Sequence, residues 1–189
     1  MTATLNAESI VQRADIFFGV GDVAAGSLYL LLAKYIAPEA IDTYKELYER
    51  HTSALQRYSA LLDLTRVESI KARTRAYAPY SGFAVGAALL AADGTVWKGC
   101  NVESGSYGLT ICAERTALGS AIANEKQRFH AIVVATGAVS PTPPCGACRQ
   151  LLYEFAPEAL VVMLSTKGEE RWTTMDRLLP DAFSARSLV

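Results

Sequence analysis

Apolar and polar positions divide the chain into two regimes. After Pro38, the residues Ile41, Tyr44, Tyr48, His51, Leu55, Tyr58 and Leu62 recur at alternating three- and four-residue steps, with Leu47, Ala54 and Leu61 beside them every seven. That spacing keeps one side of a helix apolar, so this stretch is expected to be helical with a broad buried face. Pro38 suits an early helical position and Glu39 the first turn. The face implies packing on the rest of the protein or on another subunit, with a ligand role for its tyrosines as the alternative; His51 on it reads as a packed histidine. Residues 1–66 hold one proline and no cysteine, and are expected to form an all-helical N-terminal extension. The most apolar stretch, Val23–Ala33, is closed by Lys34, well short of the roughly 20 residues that span a bilayer.

From residue 67 onward the pattern changes. Arg66–Ala76 can form a helix, ended by the turn-rich segment AYAPYSG. Phe83–Ala91 is a small apolar strand, and Asp93-Gly94 signals a hairpin before Thr95–Asn101. A helix over Cys112–Asn124, a strand at Ala131–Ala135, a helix over Cys145–Phe155 and a strand at Leu160–Leu164 follow. Lys167-Gly168 then turns the chain into Arg171–Thr174 and a final strand or short helix. This order predicts an α/β layered sheet covered by helices.

Composition narrows the function. The chain of 189 residues is 51% hydrophobic and 20% charged, which implies a packed core. Eighteen basic against nineteen acidic residues leave a net charge of −1, without the basic excess that a grip on nucleic acid or an anionic membrane requires. Met1–Ser9 lacks the basic start of a secretory peptide, so a cytoplasmic location with reduced thiols is expected. There, clustered cysteines suggest metal binding or catalysis before disulfides.

Cys145 and Cys148, in PPCGAC, stand three apart at an expected helix start, and Cys112, in ICAERTA, opens another. Helix N-termini favour thiolates. Three thiolates can hold one Zn²⁺ and leave its fourth position open, the pattern of a catalytic zinc. Glu114 stands where its carboxylate can reach a water on such an ion and pass a proton to a substrate nitrogen. C-x-E followed some thirty residues later by P-C-x-x-C is the three-cysteine form of the zinc deaminase signature. Arg115 can donate to a thiolate and offset the excess negative charge; an ordinary surface arginine is the alternative. Two other readings stay open on spacing alone: a closed structural zinc site with Cys100 as fourth ligand, and a redox CxxC pair.

The segments AYAPYSGFAVGAAL (76–89), GCNVES (99–104), SYGLTICAERTAL (106–118), PPCGACRQLL (143–152) and LLPDAF (178–183) together resemble the small cytidine deaminases. The resemblance covers roughly 67–183. It implies hydrolytic deamination of cytidine and deoxycytidine to uridine and deoxyuridine in pyrimidine salvage, and a three-layer α/β/α fold with a mixed five-stranded sheet. It further implies a catalytic domain over 67–189, one zinc per subunit, and a homotetramer or homodimer. Carried onto this chain, Cys112, Cys145 and Cys148 are the zinc ligands and Glu114 the proton shuttle. Asn101 and Glu103 bind the ribose 3′-hydroxyl, Phe83 packs on the base, and Ala113 offers it a backbone contact. Tyr107 lies near a shared pocket, and Phe183 reaches a neighbouring subunit's pocket. Ordinary core packing is the alternative for Phe83 and Tyr107.

The chain departs from the family pattern at Ser104-Gly105, where an Asn-Ala pair is usual, and this predicts a looser pocket tolerant of substituted cytosines. It departs again in the extension 1–66, whose function cannot be read. Rival readings are a deaminase of the blasticidin type and a non-catalytic zinc-bound interaction module.

Overall fold

The computed structural model describes residues 6–188. The chain divides into two compact units at Leu62/Asp63.

The first unit is helical. Helix α1 (Ala7–Gly19) is capped by Asn6, whose side chain accepts from the Ser9 amide at 2.8 Å. Asp22 caps α2 (Val23–Ile36) in the same way through Ala25. The apolar repeat beyond Pro38 is helical but not one helix. It is cut into α3 (Ala40–Thr43), α4 (Lys45–Arg50) and the start of α5 (Thr52–Arg73), with non-helical backbone at Tyr44 and His51. At the second break the Thr52 hydroxyl donates to the Tyr48 and Glu49 carbonyls, a side-chain competitor of the helical ladder. All ten repeat positions are nonetheless at least partly covered. His51 is a packed residue, stacked on Phe18 with ring centroids 3.5 Å apart. The Tyr48 hydroxyl donates to the Leu30 carbonyl at 2.9 Å.

The helix expected from Arg66 is the second half of α5, which runs unbroken to Arg73. It stops short of Ala76 because the chain tightens into three-residue bonds and Tyr77 then pairs with Asn101 and Val102. Strands β1 (Val85–Ala91), β2 (Val96–Cys100), β3 (Phe129–Thr136), β4 (Leu160–Leu164) and β5 (Glu170–Thr174) form a mixed sheet in the order β2-β1-β3-β4-β5. Only β3 and β4 are parallel, joined through α7 (Gly146–Phe155). The chain ends with α8 (Met175–Leu178) and a short 3₁₀ turn.

The strand period of two assigns the layers. Ala87, Leu89, Ile132, Val134, Val161 and Met163 join one core with α6 (Ala113–Ala123) and α7. The alternate positions face the other way, where Gly86 lies against the Ser69 and Arg73 backbone of α5; a Cβ on Gly86 would come within 2.1 Å of the Ser69 carbonyl. Gly99 in β2 admits α6 equally closely. The helical N-terminus and the flanked, mixed five-stranded sheet agree with the sequence expectation.

Candidate active site

Two helix starts meet at one place. Cys112 is the N-cap of α6 and Cys145 that of α7, both with extended backbone and neither with a side-chain capping bond. Ser, Thr, Asp or Asn would normally satisfy the first amides there; cysteine gives up that bond and leaves its sulfur free. With Cys148 in the first turn of α7, the three Sγ atoms lie within 4.8 Å of one another. The Cys112 and Cys145 sulfurs stand 3.9 Å apart, close to the ~3.8 Å that tetrahedral Zn–S bonds of about 2.3 Å require. The donor set fits zinc.

Burial pushes the Cys112 and Cys148 thiols up, and the Glu114 carboxylate raises Cys148 further. Burial also acts on Cys145, but the Cys148 amide and the neighbouring thiols outweigh it and lower that group. A dication reverses this penalty, because a coordinating thiol is deprotonated outright. Arg115 donates to the Thr110 carbonyl at 2.7 Å and approaches the Cys112 sulfur at 3.8 Å, so it touches the cluster rather than open solvent. Cys100 lies outside the cluster, with its thiol on the Arg75 carbonyl. This removes the four-cysteine reading.

Glu114 is 4% exposed. Burial drives its carboxyl above the ordinary carboxylate range, against the pull of its own amide, the Cys148 thiol and Arg115. It lines a cavity of about 230 Å³ together with Phe83, Asn101, Glu103, Cys112, Ala113 and Cys145. Six of the sequence candidates therefore meet Glu114 there, while Cys148 sits fully buried behind the wall.

The polar pair is already occupied. The Asn101 amide accepts from the Val85 amide at 2.8 Å and donates to the Phe83 carbonyl at 2.9 Å. Glu103 accepts from the Tyr80 and Ser81 amides and from the Ser81 hydroxyl, and this last bond is the main reason its carboxyl is held low. Both residues follow the end of β2 and shape the loop carrying Phe83.

Of the substrate-binding candidates, two do not reach the cavity. Tyr107 is 74% exposed, with its ring edge against Tyr80, and Phe183 is 59% exposed, its carbonyl held by Gln150. Ser104-Gly105, where a looser pocket is expected, stands behind the wall rather than in it. Neither residue lines the cavity, and Ser104 closes a turn through Thr110 and Ser106. Sequence reasoning missed Ser81, Thr110, Thr136 and Thr142 in the lining. Ser81 and Thr110 lie inside quoted motifs, whereas Thr136 enters through strand pairing alone.

Comparison with known proteins gives the same picture. The model of the cytidine and deoxycytidylate deaminase zinc-binding region matches residues 64–164. A cytidine deaminase of Sporosarcina psychrophila is 49% identical over 122 residues, 64% of this chain and 90% of that one. The crystal structure of a cytidine deaminase from Burkholderia pseudomallei has a TM-score of 0.62 at 49% identity, covering 64% of this chain and 98% of that one. A blasticidin-S deaminase of Bacillus cereus is more distant, 32% identical over 104 residues, 51% of this chain and 74% of that one. On these matches the chain belongs to the cytidine deaminase family.

Proposed function

We propose that this protein hydrolyses the amino group from cytidine and deoxycytidine, giving uridine or deoxyuridine and ammonia. One zinc per subunit would be held by Cys112, Cys145 and Cys148. The observation that carries the reading is the triangle of thiols beside a buried carboxyl at the wall of a small cavity. Zinc, when bound, supplies the Lewis acidity that makes water a nucleophile near neutral pH.

The residues of the chain do the rest. Glu114 takes a proton from the attacking water, delivers it to ring nitrogen N3, and then carries a proton to the departing amine. Burial raises its pKa, which favours its holding the proton between the two transfers. Phe83, Val85, Val134 and Pro143 offer an apolar slot for the base, Ala113 a backbone contact, and Asn101 and Glu103 the polar side for the sugar. Arg115 offsets the charge of the thiolates. The same reading takes the protein as a cytoplasmic homotetramer or homodimer in which Tyr107 and Phe183 meet a neighbouring subunit. Among the described residues no helix is long and apolar enough to cross a membrane.

The test is ammonia and uridine release from cytidine by zinc-loaded protein, with blasticidin S as the competing substrate. Stoichiometric ammonia and uridine support the reading. Turnover of blasticidin S alone, or of neither compound, overturns it.

A further inference from the structure

We propose that Arg149 is a positioning residue for the zinc ligand Cys145, and that it ties the zinc-binding turn to the C-terminal end of α8. The proposal rests on the reading that the three thiols hold zinc.

The three ligands are not equally fixed. Cys148 is fully buried in the core, and Cys112 is partly covered, with Arg115 against its sulfur. Cys145 is the exposed one of the three, with only the Cys148 amide and the neighbouring thiols near its sulfur. The chain reaches it through Pro143-Pro144, and two successive prolines remove the amide donors that would otherwise pin this approach.

Arg149 supplies the missing donors. Its main-chain amide donates to the Cys145 carbonyl at 2.9 Å, and its side-chain Nε donates to the Pro144 carbonyl at 2.8 Å. One residue therefore holds the carbonyls on both sides of the Cys145 α-carbon. Nη1 of the same guanidinium donates to the Leu178 carbonyl at 3.1 Å, one of the last carbonyls of α8, which the helix itself leaves without a partner. A planar fork can serve two carbonyls in fixed directions; an ammonium on a flexible stem cannot hold both with the same geometry. Arg149 touches neither cavity nor sulfur, so its effect passes through the backbone of Cys145.

The test compares zinc affinity, by competition with a chromogenic chelator, in the native protein, Arg149→Gln, Arg149→Lys and Leu152→Ala. Leu152 is buried on the same helix, in the same core cluster as Cys148, and serves as a variant that weakens packing while leaving the Arg149 bonds to Pro144 and Leu178 in place. Melting of the zinc-stripped proteins ranks their stability. The expected result is a loss of about 10-fold or more in zinc affinity for Arg149→Gln, the range for groups that orient metal ligands. Arg149→Lys should fall between native and Arg149→Gln, and Leu152→Ala should melt lower yet keep its zinc affinity. Native affinity in Arg149→Gln, or an equal loss in Leu152→Ala, overturns the role. A native protein that binds no zinc overturns the metal reading itself and this role with it.

Discussion

In the first 62 residues the buried side chains among those described are nearly all hydrocarbon, with the Ser27 hydroxyl and the phenols of Tyr29 and Tyr48 as the polar-bearing exceptions. From Asp63 onward the chain buries Asn101, Glu114 and several hydroxyls as well as the Cys148 thiol. Both regions use helices, but side chains cap α1 and α2, whereas α6 and α7 start at cysteines with no side-chain capping bond. They differ in what they do with buried polar atoms. A carboxyl costs several kcal/mol to bury as an ion, and one buried beside a cleft marks a candidate site of chemistry. Glu114, raised by burial beside three convergent thiols, marks the second region as the chemical one.

The contrast can be broken most severely at the thiols. Cys148→Ser should abolish zinc binding and turnover together, read by metal analysis and ammonia release, whereas Cys100→Ser should change neither. Next in size is Gly99→Ala. Its Cβ would meet the Ala117 amide at 2.3 Å and the Ala113 carbonyl at 2.6 Å. Backbone cannot step aside cheaply, so a loss of about 1–3 kcal/mol or more is expected in urea denaturation, with a fall in kcat because α6 carries Glu114. Gly119→Ala, on the same helix with nothing within 4 Å, should instead gain about 0.5–1 kcal/mol.

A smaller effect belongs to Ser81→Ala, which removes the main bond holding the Glu103 carboxyl low. KM should rise several-fold with kcat little changed, the signature of lost uniform binding. The sign follows from a depressed folded-state pKa. In the native protein the Glu103 contribution is present above the ordinary carboxylate range and lost as pH falls through the depressed value. In Ser81→Ala the loss should begin at higher pH, read from KM against pH. The smallest change falls in the helical region. Asp22→Ala removes the cap on α2 and should cost about 1 kcal/mol of stability, with zinc content and kcat unchanged.

What the sequence made legible follows from the range of the forces involved. Strand and helix positions in 67–189 could be read because period-two and period-3.6 patterns are local, and the thiol triangle because C-x-E and P-C-x-x-C carry their chemistry in the spacing. The breaks at Tyr44 and His51 were hidden because the 3-4 repeat keeps its phase across them; only the Thr52 hydroxyl betrays the second. The occupancy of Asn101 and Glu103 was hidden for a different reason. Their partners, 16–23 residues earlier in the chain, are main-chain groups and the Ser81 hydroxyl, and no helix or strand period announces them. Thr136 reaches the cavity wall through strand pairing, which a one-dimensional reading does not contain. Tyr107 and Phe183 matched motifs yet stand exposed and away from the cavity, as motif spacing fixes residue type but not where the fold places a side chain.

The central claim is that a buried carboxyl beside a zinc-holding triangle of thiols deaminates a nucleoside. It is tested most directly by measuring zinc content and ammonia release from cytidine for native protein and Glu114→Gln side by side. The account predicts equal zinc in both and a loss of turnover of at least about 10²–10⁴-fold in the variant, the scale of a proton-transfer group. Native turnover in a zinc-replete Glu114→Gln protein would contradict it.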